Sequence, residues 1–197
     1  MIIALMFSGQ GSHKVGMGKD LYESSPIARD IYDRADEVLG WKLSDFSFEG
    51  PEEMLTKTGI CQPALFTHGY VVFRLLSEKG HLEDARIAMG LSLGEITAFA
   101  VSEVFDFETG LRIVSERGRL MQEACDSSDG SMAAVIGGPS HTPSSRAIAL
   151  CSQPQMILLP PLPLVPAASS QPPVLLGRRY GCTLFRLCPH PPGCVSG

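Results

Sequence analysis

The segment Met89-Gly90-Leu91-Ser92-Leu93-Gly94-Glu95 decides the fold. It is a G-x-S-x-G motif that follows a short apolar run, Arg86-Ile87-Ala88-Met89, and precedes a stretch with a helical pattern that ends near Val101. A strand, a sharp turn that carries a serine, and a helix are the context that this motif requires. The segment therefore predicts a strand-to-helix turn with Ser92 at its apex.

The residue types in this turn suit nucleophilic chemistry. Gly90 and Gly94 stand two positions on either side of Ser92, where a Cβ would clash in a tight turn. The N–H of Leu93 lies in the first helical turn, where unpaired N–H groups and the helix dipole favour a developing oxyanion. We interpret Ser92 as a catalytic nucleophile. The alternative is a chance match in a chain with 20 glycines.

The sequence on either side of the motif predicts alternating strands and helices. Strands are predicted over Ile2 to Phe7, Arg86 to Met89, and Met132 to Ile136. Helices are predicted at five places: Pro26 to about Leu39, Pro51 through Leu55, Pro63 to a stop at Gly80, Gly94 to Val101, and Phe107 to about Ala124. This alternation is typical of an α/β domain with a parallel sheet.

Composition excludes several classes of protein. The 197 residues include 16 basic and 21 acidic side chains, a net charge of −5, and 44% of them are hydrophobic. The size predicts one domain with a sizeable core. Because no basic run stands out, nucleic acid and anionic membranes are not expected as partners. The apolar start, Met1 to Phe7, is too short for a signal peptide or a spanning helix, so we expect a cytoplasmic protein.

The chain changes character after Gly138. Residues 1–138 hold all 21 acidic residues and three of the 15 prolines, whereas residues 139–197 hold no Asp, Glu or Lys and 12 prolines. Ordinary soluble segments mix both charges. We therefore interpret 1–138 as the N-terminal part of a domain, and 139–197 as a Pro- and Cys-rich tail that is disordered or read out of frame. A polyproline ligand for an aromatic groove is the alternative.

Four motifs in register resemble the malonyl-CoA:acyl carrier protein transacylases. They are Gly9-Gln10-Gly11-Ser12, Gln62-Pro63-Ala64, the segment from Gly90 to Glu95, and Arg117-Gly118 with Met121-Gln122. The resemblance covers about residues 1–138. It departs from the family at His13, where Gln is usual, and at Leu91, where His is frequent. It implies a nucleophile elbow in an α/β-hydrolase-like large subdomain, cut off before most of a ferredoxin-like small subdomain.

The resemblance implies a ping-pong acyl transfer in fatty-acid biosynthesis. Ser92 would attack the thioester of malonyl-CoA, hold the malonyl ester, and pass it to the phosphopantetheine thiol of acyl carrier protein. The backbone N–H groups of Leu93 and Gln10 would hold the oxyanion, and Arg117 would pair with the malonyl carboxylate. Malonyl-CoA and acyl carrier protein are the implied partners. Coenzyme A and phosphopantetheine serve only as substrate carriers, and no cofactor is expected.

The sequence does not identify a general base. The family uses a His in a Gly-x-Phe-His-type segment far downstream, and this sequence has no such segment. Its five histidines are His13, His68, His81, His141 and His190. Gln62 is interpreted as a helix-start or pocket-wall residue and Glu95 as a dipole partner at a helix start. The six cysteines lack C-x-x-C spacing, so no metal site is predicted.

Three functions remain open from the sequence. The first is the malonyl acyltransferase. The second is a truncated fragment without a general base, hence without catalytic activity. A small serine esterase ranks last, because it requires an acid and then a His after the serine. No Asp or Glu follows Asp129.

Overall fold

The computed structural model describes residues 2–127, together with the backbone of residues 155–158 and 182–187. The predicted strand over Met132 to Ile136 lies outside the described residues. Of the tail after Gly138, only the two short strands at 155–158 and 182–187 are described. Within the described part, the predicted alternation of strands and helices is present.

The sheet is built on two parallel strands. β1 (Ile2–Phe7) pairs with β2 (Ala85–Gly90), and their last residues, Phe7 and Gly90, lie opposite each other. Leu5 and Phe7 are buried because they alternate towards the helices that cover one face. Both predicted strands are confirmed. Because β1 and β2 end together, the loops that follow them emerge side by side.

The sheet is mixed, whereas the sequence predicted parallel strands only. β3 (Gln155–Leu158) pairs antiparallel with β2, and β4 (Cys182–Leu187) pairs antiparallel with β1, giving the order β3-β2-β1-β4. A Pro-rich segment offers few backbone donors for such a ladder. Both strands are stretches without proline, so each residue keeps the N–H that a ladder needs. The open edges of the parallel pair accept them.

Five helices connect β1 to β2. They are α1 (Lys19–Ser24), α2 (Pro26–Leu39), α3 (Leu43–Glu49), α4 (Glu52–Thr56) and α5 (Thr58–Glu78). The predictions of α2 and α4 are confirmed, and Ser25 Oγ accepts a hydrogen bond from Ala28 N–H at the start of α2. Gly40 ends α2 at φ 74°, in the left-handed region that favours glycine. α1 and α3 were not predicted from the sequence.

The predicted start of α5 at Pro63 was wrong, because the helix begins at Thr58 and Pro63 lies inside it. Proline lacks the N–H that would bond to the Gly59 carbonyl, so it usually marks a helix start. Here the first turn of α5 is stabilised by a side chain from a distant part of the chain. Gln122 Oε1 accepts a hydrogen bond from Thr58 N–H at 3.1 Å.

Two further helices follow β2, and α5 packs between the two parts of the core. α6 (Leu93–Val101) and α7 (Phe107–Asp126) agree with their predictions. Phe66 of α5 stacks on Phe107 of α7 at 5.7 Å between ring centroids. About two to three turns further on, α5 directs Val72 and Leu76 into the cluster that covers β1 and β2. None of the helices in the described part is long and apolar enough to cross a membrane.

Candidate active site

Ser92 lies on a tight turn between β2 and α6. β2 ends at Gly90 and α6 begins at Leu93, so only two residues connect the strand to the helix. Ser92 has φ 56°, a value that L residues with a side chain rarely adopt. Glu95 Oε1 accepts a hydrogen bond from Ser92 N–H at 2.9 Å, which ties the turn to the first turn of α6. The Ser92 side chain is exposed.

Both glycines of the motif are required by close backbone contacts. A Cβ at Gly90 would collide with the backbone of Gly94, and a Cβ at Gly94 would collide with the Phe7 carbonyl. The same Cβ at Gly94 would lie 3.0 Å from the Ser8 carbonyl oxygen. The spacing of the motif thus lets α6 start directly over the end of β1.

The loop after β1 lies against the Ser92 turn. A Cβ at Gly9 would lie 2.9 Å from the Leu91 carbonyl oxygen, so the two loops are in close contact. Gln10 is exposed, and its Nε2 donates a hydrogen bond to Thr58 Oγ1 at 3.2 Å. Ser12 Oγ donates to the Gly9 carbonyl at 3.0 Å and braces the loop internally. The loop that carries Gln10 is therefore adjacent to Ser92.

Arg117 reaches the site from the middle of α7. Its Nη2 donates a hydrogen bond to Ser92 Oγ at 2.8 Å, and its Nη1 donates to Gln62 Oε1 at 2.6 Å. The guanidinium is half-buried, and it offers N–H donors in a planar fork. The structure thus brings together Ser92 and Arg117, which the sequence paired only through the resemblance.

Gln62 contributes to the site in a way that sequence reasoning missed. It lies inside α5 and is fully buried, so of the two roles predicted for it, helix start and pocket wall, the first was wrong. Its Oε1 accepts from Arg117, and its Nε2 donates to Met121 Sδ at 3.2 Å. A buried amide normally finds such partners. The motifs Gln62-Pro63-Ala64 and Met121-Gln122 belong to the same resemblance, and their shared register was the available signal.

Two of the described histidines, His13 and His68, lie beside side chains other than Ser92. His13 Nδ1 lies 3.2 Å from Cys61 Sγ, and His13 Nε2 lies 3.3 Å from Thr56 Oγ1. His68 is buried, with its Nδ1 3.3 Å from the Tyr32 hydroxyl. Burial raises the pKa of the Cys61 thiol to about 11, so this thiol stays protonated at neutral pH. His141 and His190 lie outside the described residues.

Metal ligands do not cluster in the part of the chain that the structure describes: it has no group of three or more His, Cys, Asp or Glu side chains that could hold an ion. Cys61 and Cys125 are free thiols. The other four cysteines lie in the tail, where the structure describes no side chains.

A serine on a strand-to-helix turn, faced by a fixed guanidinium, defines a site suited to acyl transfer. Residues 5–157 match the model of the acyl transferase domain. The protein belongs to the acyl transferase domain family. The match extends beyond Gly138, where the composition changes.

Individual relatives agree with the family. The chain is 43% identical over 135 residues to the malonyl CoA-acyl carrier protein transacylase of Bacillus subtilis, which covers 68% of this chain and 42% of the relative. A crystal structure of an acyl carrier protein S-malonyltransferase from Vibrio cholerae superposes with a TM-score of 0.59 at 39% identity, covering 61% of this chain and 39% of that one. A malonyl-transacylase solved in complex with a type II acyl-carrier protein gives a TM-score of 0.59 at 40% identity, with 61% and 39% covered.

The chain spans less than half the length of these relatives. The family match over residues 5–157 includes Ser92, Arg117 and the loop of Gln10.

Proposed function

We propose that this chain is the N-terminal part of a malonyl-CoA:acyl carrier protein transacylase, with Ser92 as its nucleophile. The contact between Arg117 Nη2 and Ser92 Oγ carries this proposal, because it places a fixed positive charge beside the attacking atom. The names of the relatives support the choice of malonyl-CoA as donor and acyl carrier protein as acceptor.

The proposed reaction has two acyl transfers. Ser92 Oγ attacks the thioester carbonyl of malonyl-CoA, the carbon–sulfur bond breaks, and coenzyme A leaves as a thiol once it is protonated. The malonyl group then forms an ester on Ser92. The phosphopantetheine thiol of acyl carrier protein attacks this ester, the new thioester forms, and the Ser92 hydroxyl is restored.

Both tetrahedral intermediates carry an oxyanion next to Ser92. We assign the N–H groups of Leu93 and Gln10 to this charge. Leu93 is the first residue of α6, whose first-turn N–H groups have no intrahelical acceptor. Gln10 is in the loop that contacts the Ser92 turn through Gly9 and Leu91. Donors fixed beforehand in this way stabilise an oxyanion without reorganisation. The turn at Ser92 would then be a nucleophile elbow.

Arg117 is assigned to the free carboxylate of the malonyl group. A guanidinium binds a carboxylate through two parallel N–H bonds, which selects dicarboxylic acyl groups. Gln62 holds one side of the guanidinium, which limits its rotation. Arg117 cannot accept the Ser92 proton, since a guanidinium has N–H donors and no acceptor atom. No described residue is assigned to that step.

Intact-mass analysis after incubation with malonyl-CoA tests the proposal. The chain as it stands is compared with Ser92→Ala and with Ser127→Ala, an exposed serine at the end of α7. We expect one malonyl adduct on the chain and on Ser127→Ala, and none on Ser92→Ala. Holo acyl carrier protein should then remove the adduct. An adduct on Ser92→Ala, or on none of the three proteins, would disprove the assignment.

A further inference from the structure

Thr58 connects three parts of the candidate site. It is the first residue of α5, and its Oγ1 accepts a hydrogen bond from Gln10 Nε2 at 3.2 Å. Its N–H donates to Gln122 Oε1 of α7 at 3.1 Å. Thr58 therefore contacts both the loop after β1 and α7.

α7 fixes the position of Thr58 through a close backbone approach as well. A Cβ at Gly118 would lie 2.8 Å from the Thr58 carbonyl oxygen, so α7 lies directly against the start of α5 there. Gly118 is adjacent to Arg117, which donates to Ser92. One turn of α7 thus holds both the guanidinium and the N-terminus of α5.

The loop that carries Gln10 is braced by Ser12 and lies against the turn after β2, but neither contact holds the Gln10 side chain. Its two glycines, Gly9 and Gly11, have high backbone freedom, and Gly11 has φ 106°. The Gln10 side chain is exposed, so packing does not hold it. The hydrogen bond to Thr58 is then the contact that ties this side chain to the helical layer.

We propose that Thr58 is a positioning residue for the oxyanion site: its hydroxyl holds the Gln10 side chain and thereby fixes the backbone N–H of Gln10 beside Ser92. The inference rests on the function proposed above. In this arrangement α7 positions both groups, because one of its turns carries Arg117 directly and holds Gln10 in place through Thr58. Thr58 itself does not touch the substrate.

The test compares three threonine variants of the intact chain. Thr58→Val keeps the shape and removes the hydroxyl, whereas Thr58→Ser keeps the hydroxyl. Thr109→Val is the matched control, because Thr109 lies in the first turn of α7, away from the loop. Gln10→Ala removes the other partner of the hydrogen bond. Because Gln10 is exposed, we expect this variant to fold, so the test stays valid if Thr58→Val fails to fold.

Hydrogen–deuterium exchange of the segment 9–12 is the first readout, and it needs no activity. We expect Thr58→Val and Gln10→Ala each to raise exchange there about fivefold to tenfold, the factor that one lost hydrogen bond produces. Thr58→Ser and Thr109→Val should match the unchanged chain. Unchanged exchange in both Thr58→Val and Gln10→Ala would overturn the inference.

The single-turnover rate of Ser92 acylation by malonyl-CoA is the second readout. We expect a fall of about tenfold in Thr58→Val, with the half-saturating malonyl-CoA concentration unchanged, and recovery in Thr58→Ser. The double variant with Gln10→Ala should be no slower than either single variant, because both remove one interaction. Additive losses would contradict the inference. If the unchanged chain forms no adduct, the proposed function fails, and the exchange measurement still decides the role of Thr58.

Discussion

The guanidinium of Arg117 and the hydroxyl of Ser92 are joined by a hydrogen bond of 2.8 Å, although 25 residues separate them in the chain. Ser92 is held by the turn between β2 and α6, and Arg117 is held by α7 and Gln62. Because two separate elements fix the two groups, their distance depends on how α6 and α7 pack. In the proposed reaction, a charge so placed would bind the acyl carboxylate while Ser92 attacks the carbonyl.

Removal of the Arg117 charge should slow malonylation selectively. We expect Arg117→Ala to lower the rate of adduct formation with malonyl-CoA by tenfold to about a hundredfold, the effect of one charge-assisted hydrogen bond. Acetyl-CoA lacks the second carboxylate, so its reaction should change much less. The measurement is the time course of the intact-mass adduct with each donor.

Arg119→Ala is the matched control for Arg117→Ala. Arg119 lies on the same helix and pairs with Glu116 and Glu123 on the surface. We expect no change in either rate, because exposed ion pairs contribute little and Arg119 is outside the site. If Arg117→Ala lowers the rates of adduct formation with malonyl-CoA and with acetyl-CoA equally, Arg117 does not bind the carboxylate.

The close approach of α6 to β1 predicts a large cost for a methyl group at Gly94. A Cβ there meets the Phe7 and Ser8 carbonyls, which belong to a strand end and cannot move freely. We expect Gly94→Ala to lower the free energy of unfolding by at least about 2 kcal/mol. Urea denaturation followed by circular dichroism measures this.

Gly59→Ala provides the contrast. Gly59 lies in the first turn of α5, and a Cβ there has no atom within 4 Å. Because alanine has the higher helix propensity, this variant should be unchanged or up to about 1 kcal/mol more stable. A similar loss at both glycines would mean that the contacts of Gly94 are not the cause.

Asp36 should be a strong contributor to stability. It is buried, and its carboxylate accepts hydrogen bonds from Ser44 N–H at 3.0 Å and Ser44 Oγ at 2.6 Å, at the start of α3. Asp36 also holds the pKa of Lys42 above its usual value. We expect Asp36→Ala to cost about 2 kcal/mol in urea denaturation, since two donors lose a charged acceptor. Glu37→Ala, exposed and adjacent, should stay within about 0.5 kcal/mol.

Cys61 should make the fold less stable at alkaline pH. Burial raises the pKa of its thiol to about 11, whereas an unfolded thiol titrates at about 8.5. The folded state therefore binds more protons between these values, and the stability from this group is lost as the pH rises through them. Urea midpoints at pH 8 and pH 10.5 should differ more for the unchanged chain than for Cys61→Ala.

Alkylation distinguishes the two described thiols independently of stability. Cys125 is exposed and Cys61 is buried. Iodoacetamide at pH 8 should label Cys125 first, and Cys61 only after urea is added, because thiolate and access are both needed. Peptide mass mapping reads each site. Equal labelling of both cysteines in the folded chain would contradict the burial of Cys61.

Local sequence rules predicted the elements whose ends are fixed by their own residues. Ser25, Pro26 and Gly40 bound α2 as expected, and the two glycines around Ser92 explain its turn. The rules failed where the N–H groups at a helix start find their hydrogen-bond acceptor in a distant part of the chain. α3 begins after Lys42, a residue without capping character, because Asp36 supplies the acceptor.

The start of α5 shows the same limit more clearly. Pro63 is a reasonable helix start by its missing N–H, yet the helix gains a further turn because Gln122 accepts from Thr58, 64 residues away. The two tail strands likewise depend on the unpaired edges of β1 and β2. Composition describes the tail correctly as rich in proline, but it does not locate the short segments that can form a ladder.

The sequence by itself determined the turn at Ser92, because the need for Gly90 and Gly94 follows from steric exclusion within a few residues. It also determined the order of the strands and helices over 2–127 apart from α1 and α3, since hydrophobic periodicity and caps act locally. Only the tertiary structure decided how Arg117, Gln62 and Thr58 relate to that turn. Those contacts cross 25 to 64 residues, and their distances depend on how α5, α6 and α7 pack, which no local pattern encodes.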